Sequence, residues 1–180
     1  WPAVKAVCGA VVMTLAFGVL CSRLLGCGRD LGLLTGGAVG ICGASAAIAI
    51  SAALPDSEAK QRLTLFTVIG VTTLSTVAMV FYPIVGDFLN FSSRDMGFFI
   101  GATIHDVAQV VGAGYSVSPE TGDLATFVKL LRVAMLVPIV MAIALVCRIS
   151  LRAQEARQSS LISPPIFLLG FIALFLLNNT

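Results

Sequence analysis

The sequence is short of charge. Only 11% of its 180 residues are Asp, Glu, Lys or Arg, less than half the roughly 25% of an ordinary soluble domain. With 58% hydrophobic residues and a mean hydropathy of +1.01, it has too little solvated surface for a soluble globular enzyme. It is also too apolar to stay disordered. Eleven Lys and Arg against nine Asp and Glu give a net charge of +2, too balanced for a phosphate-binding surface, so nucleic acid is excluded as a partner. A single histidine excludes a two-His zinc motif within the chain. There is no GxSxG and no Walker loop, and Ser45 has no base within sequence reach. The five cysteines, at 8, 21, 27, 42 and 147, form no CxxC pair and no zinc spacing. Neither an enzyme nor a cofactor is expected.

What is present is a set of long apolar runs. Residues 31–55, 63–86 and 158–180 carry no Asp, Glu, Lys or Arg, and roughly 20 apolar residues cross a hydrocarbon core as a helix. Ala6–Ser22 is shorter and extends to Arg23 by snorkelling. Leu124–Cys147 is long enough if Lys129 and Arg132 lie near one end or face protein. Within lipid the backbone must satisfy its own hydrogen bonds, so these are helices. The expected fold is an all-α polytopic membrane protein, a single transmembrane domain over 1–180 without a soluble domain. Six segments are expected, at 3–22, 31–54, 63–86, 96–117, 124–147 and 161–178. The chain opens Trp1-Pro2 without a recognisable signal peptide and stops just after an apolar run. It reads as a piece of a longer protein.

If every segment crosses, Arg23, Arg29, Arg94, Arg148, Arg152 and Arg157 share one side and Lys5, Lys60 and Arg62 the other. Six against three places the loops 23–30, 87–95 and 148–160 in the cytoplasm. A re-entrant 96–117 alone would put the last arginines outside, so the charge count leans toward a full crossing.

Two segments are poor ordinary spans. Between Thr35 and Ala53, fifteen of nineteen residues are Gly, Ala, Ser, Thr or Cys, which lets backbones approach closely and unwinds easily. Segment 96–117 carries Gly97, Gly101, Gly112 and Gly114 around His105-Asp106-Val107-Ala108-Gln109, and it reads as a helix broken at membrane depth. An Asp there costs about 2.5–3.5 kcal/mol on insertion scales. On a helix Gln109 neighbours both His105 and Asp106. Together they supply a carboxylate, an imidazole that titrates near neutrality, and an amide that donates and accepts. That equipment suits a proton- or ion-handling site, and equally an interhelical hydrogen-bond knot. Lys129 and Arg132, on one helical face, either neutralise an anion or snorkel outward near Asp123.

At these segments the chain resembles a known family. Ile41-Cys42-Gly43-Ala44-Ser45-Ala46, the stretch Gly101–Gly114 with its His-Asp-x-x-Gln, and Val128-Lys129, Arg132-Val133 and Pro138 are similar to signatures of the YeiH/UPF0324 group, labelled sulfate exporter transporters. Where relatives often carry Thr-Ser before the Ile-Cys-Gly, this chain has Val39-Gly40. The resemblance runs from about Leu31 to the end and implies the central and later part of a longer secondary transporter. It also implies inverted repeats and Gly-rich broken or re-entrant helices at mid-membrane. The function it implies is export of a small anion, sulfate or organosulfur-type, across the cell membrane, coupled to a proton or cation. Backbone donors around Gly40, Cys42, Gly43 and Ser45 would meet the anion. His105 and Asp106 would couple transport, Gln109 would orient, and Lys129 or Arg132 would supply positive charge. The alternatives are a Na+/H+ antiporter-like exchanger and a non-transporting subunit or sensor. The partners are a small anionic substrate, the coupling proton or cation and the lipid bilayer, with a homodimer left open.

Overall fold

The computed structural model describes residues 2–154. Its elements are α1 (Pro2–Leu24), α2 (Arg29–Gly40), α3 (Ala44–Ala53), α4 (Glu58–Phe88), α5 (Ser93–Thr103), α6 (Val107–Val117), α7 (Pro119–Ala134) and α8 (Leu136–Gln154). Among the described residues there is no strand. Ser57, Ser92 and Ser118 start α4, α5 and α7, each hydroxyl accepting a backbone N–H three residues on, which satisfies one of the donors that a helix start leaves open. Three stretches are long and apolar enough to cross a membrane: Val7–Leu24, Glu58–Phe88 and Pro119–Cys147. Their outer faces carry Met13, Phe17, Phe66, Ile69, Phe81 and Met141 exposed, as lipid contact requires.

The two Gly-rich segments do not cross. Each is a hairpin of two half-length helices, 12 and 10 residues in the first and 11 and 11 in the second. At 1.5 Å per residue each arm is about 15–18 Å long, half a hydrocarbon core. In the first hairpin α3 folds back on α2: Gly37 lies against Ile50, and Ala38 clusters with Ala47 and with Val71 of α4. In the second, α5 and α6 pack on the same part of α7. Gly97 meets Thr121 and Leu124, Gly101 meets Ala125 and Val128, and Gly114 meets Gly122 and Ala125. The Thr121 hydroxyl donates to the Ser93 carbonyl at 3.2 Å, so the start of α5 and the end of α6 lie at one level.

Opposite directions of entry follow from the register. α1 runs antiparallel to α2 through Gly18 against Gly32 and Gly36, and Val11 and Thr14 against Gly40. α4 runs antiparallel to α3, with the Thr64 hydroxyl donating to Ser51 at 2.8 Å, and crosses to the far face. There α5 turns back, with Gly86 against Met96. The first hairpin therefore enters from the face holding Arg29 and Glu58, and the second from the face holding Arg94 and Glu120. At the base of the first hairpin the buried Lys60 amine donates to the Leu54 carbonyl and to the Asp56 carboxylate. That hydrogen bond, with the Lys60 charge, holds the Asp56 carboxyl below its usual range. The link is present above the carboxylate range and fades as pH falls through the depressed value.

This topology corrects the full crossing expected of 96–117 and the sidedness drawn from it. The loop 87–95 lies opposite 23–30. Residues 148–154 lie with 23–30, since Val140 and Ile143 pack with Ile50 and Leu54, and Cys147 packs against the same cluster. Arg23, Arg29, Lys60, Arg62, Arg148 and Arg152 now share a face, against Lys5 and Arg94. The sides differ from that expectation because both Gly-rich segments, not one, fold back on themselves. Arg157 and segment 161–178 lie outside the described residues.

Close approach sets a test. A Cβ at Gly101 would run into the Ala125 backbone, whereas one at Gly70 meets nothing within 4 Å. Gly101→Val is expected to lower stability by about 1–3 kcal/mol through overpacking. Gly70→Ala should be neutral or stabilising by up to about 1 kcal/mol. Thermal unfolding in detergent compares them.

Candidate functional site

Two hairpins entering from opposite faces bring their tips together. The first turns at Ile41-Cys42-Gly43, where the Gly43 N–H donates back to the Ala38 carbonyl at 2.8 Å. Gly43 has φ 71° and ψ −128°, a conformation that only glycine adopts without a cost of about 1–3 kcal/mol. The second turns at Ile104-His105-Asp106, and a Cβ at Gly43 would stand 3.5 Å from the His105 carbonyl oxygen. The tips are in van der Waals contact.

A helix end leaves carbonyls unpaired, and an unpaired backbone group away from water costs several kcal/mol. Both hairpins present such ends at their tips, and α7 supplies the donors. The Arg132 guanidinium donates Nε to the Gly40 carbonyl at 2.9 Å, Nη2 to Val39 at 2.9 Å and to Gly40 at 2.5 Å, and Nη1 to Ala102. Those carbonyls belong to the ends of α2 and α5, so one side chain ties both hairpins. Lys129, fully buried, donates Nζ to the Ile104 carbonyl at 2.8 Å. Positive charge at helix C-termini is also favoured by the helix dipole. The geometry gives these residues a role that the sequence did not suggest, tying the hairpin ends together. They do not snorkel, and Asp123 instead accepts from the Tyr115 hydroxyl at 2.5 Å. Arg132 directs its guanidinium at hairpin carbonyls, while Lys129 uses one of its three N–H donors on Ile104.

From the other side α4 holds the second tip. The Ser75 hydroxyl, fully buried, accepts the backbone N–H of His105 at 3.2 Å and of Asp106 at 3.1 Å. Asp106 is the N-cap of α6, its Oδ1 accepting from the Ala108 N–H at 2.9 Å. Gln109 Nε2 donates to the Thr76 hydroxyl at 2.9 Å. In the first tip the buried Cys42 thiol lies 2.8 Å from the Ser45 hydroxyl, which also reaches the Cys42 carbonyl at 3.1 Å. His105 Nδ1 and Gln109 Oε1 are buried with no partner among the described residues.

All nine residues singled out in the sequence thus sit in the tips or against them. Among the described residues no group of three His, Cys, Asp or Glu side chains could hold a metal ion. Sequence reasoning missed Ser75 and Thr76. Their signal was the hydroxyl cluster Thr72-Thr73-Leu74-Ser75-Thr76 at the centre of an uncharged run.

The architecture is that of a helical membrane protein with paired half-depth hairpins. The family described as Conserved hypothetical protein 698 matches residues 2–180, and the chain belongs to it. Its relatives carry the name UPF0324 membrane protein. UPF0324 membrane protein TauZ of Paracoccus denitrificans is 50% identical over 177 residues, 98% of this chain and 52% of that protein. A UPF0324 membrane protein of Rhizobium meliloti is 52% identical over 172 residues, 94% of this chain and 49% of its own. One of Chlorobaculum tepidum is 56% identical over 137 residues, 76% of this chain and 38% of its own. The chain spans about half the length of the curated relatives it matches. No solved structure matches it.

Two substitutions separate the roles. Ser75→Ala orphans two buried N–H groups and is expected to cost about 1–3 kcal/mol. Arg132→Lys keeps the charge but replaces a planar five-donor fork with one ammonium. It should cost about 2–3 kcal/mol from lost charge-assisted hydrogen bonds. Chemical unfolding of each variant gives the figures.

Proposed function

We propose that this chain is the substrate-carrying part of a secondary active transporter that exports a small anion, sulfate or organosulfur-type, across the cytoplasmic membrane. The observation that carries the reading is the meeting of two half-depth hairpins, from opposite faces, around His105, Asp106 and Gln109. Half-helix ends at mid-depth, next to ionisable side chains, are how secondary transporters build a site within lipid. α1 with the first hairpin, and α4 with the second, repeat one arrangement in opposite senses, which supports an inverted repeat. The α3 start presents backbone N–H groups to an anion. His105 and Asp106 couple its movement to a proton or cation, and Gln109 orients it. Lys129 and Arg132 hold the tips together and lend positive potential. Six basic residues on one face against two on the other support a cytoplasmic location for the face of Arg29 and Lys60. The chain carries its ligand without chemical change, and its partners are the anion, the coupling ion and lipid.

Asp106→Asn tests coupling cleanly, because Asn caps a helix about as well as Asp and α6 keeps its start. Coupled flux in proteoliposomes is expected to vanish while the melting temperature stays near wild type. One observation favours a second reading, a non-transporting subunit or sensor: Asp106 is already engaged as a cap. In that case the same variant leaves ligand-free behaviour unchanged and no anion stabilises the protein.

A further inference from the structure

The hydrogen bonds around the second tip fix which way its polar groups face. The Thr76 hydroxyl gives its hydrogen to the Thr72 carbonyl at 2.9 Å, so toward Gln109 it can only accept. It therefore takes Nε2, and the amide oxygen of Gln109 is turned the other way, buried and without a partner. That oxygen accepts only. Ser75 has the reverse character. Its oxygen already accepts two N–H groups, which uses both lone pairs, so its own hydrogen is what it can offer a third group. The Asp106 carboxylate, with Oδ1 committed to Ala108, adds a second acceptor at Oδ2. A ligand that meets these three groups accepts from Ser75 and donates to Gln109 or Asp106.

Charge narrows the ligand further. Lys129 and Arg132 bring two positive charges to the tips and Asp106 one negative, a local sum of +1 that a single negative charge neutralises. A bare cation would add to the excess. A dianion would overshoot, and its oxygens would face Gln109 Oε1 and Asp106 with lone pairs alone, leaving a buried acceptor unpaired.

We propose that the meeting point of the hairpins selects an oxyanion carrying one negative charge and one proton of its own, such as hydrogen sulfite, over a fully deprotonated dianion such as sulfate. This rests on the anion-transport reading and sets a proton-bearing monoanion in place of sulfate as its substrate. Gln109 is the residue that reads the ligand's proton, and Thr76 is the positioning residue that turns the Gln109 amide.

The test compares ligands at one mildly acidic pH, so that the protein's own protonation stays constant. The intact protein in detergent is titrated with N-methylglucamine salts of five anions, with binding read by thermal shift and calorimetry. Hydrogen sulfite and dihydrogen phosphate are monoanions with a proton, methanesulfonate and nitrate are monoanions without one, and sulfate is a dianion. The proton-bearing pair is expected to bind about tenfold tighter than the other three, one hydrogen bond to a buried acceptor being of that size. Gln109→Met should shrink the ratio to about twofold or less. Thr76→Val, at an exposed position on α4, should shrink it in the same direction while the fold stays intact. Equal binding of methanesulfonate or sulfate in the wild type overturns the proton-reading role and leaves anion transport standing. Stabilisation by none of the five, with stabilisation by Na+ alone, overturns both. An undiminished ratio in both variants overturns the assignment to Gln109.

Discussion

Four backbone carbonyl contacts to one guanidinium hold this molecule's centre. Breaking two helices leaves carbonyls unpaired at the ends of α2 and α5, and a carbonyl left unpaired away from water costs several kcal/mol. Arg132 meets the ends of both at once. An arginine buried in an apolar span is itself expensive, so the two costs cancel only together: the guanidinium needs the carbonyls as much as they need it. Lys129 completes the set at Ile104, and Ser75 does for the N–H side what the two cations do for the carbonyls.

The rest of the fold can be read as what brings those groups into register. Small residues let the arms approach: Gly18, Gly32 and Gly36 between α1 and α2, and Gly97, Gly101, Gly114 and Gly122 between the second hairpin and α7. α4, 31 residues long, runs past both hairpins and contributes the hydroxyls at its middle. Among the described residues Gln109 Oε1 and His105 Nδ1 are buried without a partner, and the second Asp106 oxygen, the hydrogen of Ser75 and two N–H of Lys129 also make no hydrogen bond.

Much of this was legible in the sequence. The uncharged runs specified helices in lipid, and the glycine- and alanine-rich stretch before Ala53 and the His-Asp-x-x-Gln centre located both breaks, at 41–43 and 104–106. What sequence could not reach was direction. A run of about 22 apolar residues fits one crossing or two half-depth arms equally well by length. The choice depends on whether residue pairs such as Gly37 and Ile50, or Gly101 and Gly114, share a neighbour. The role of Arg132 was hidden for the same reason, since its partners are backbone atoms at positions 92 and 30 residues away whose side chains give no sign of it.

Sidedness of labelling decides the central claim. Single cysteines at Arg29, Glu58, Asp95 and Glu120, in a protein whose native cysteines are replaced, are exposed to an impermeant maleimide added to one side of sealed vesicles. Two opposed hairpins require that Arg29 and Glu58 label together from one side and that Asp95 and Glu120 label together from the other. Labelling of Asp95 and Glu120 from opposite sides would mean that 96–117 crosses the membrane, and the tip-to-tip arrangement held by Arg132 would be wrong.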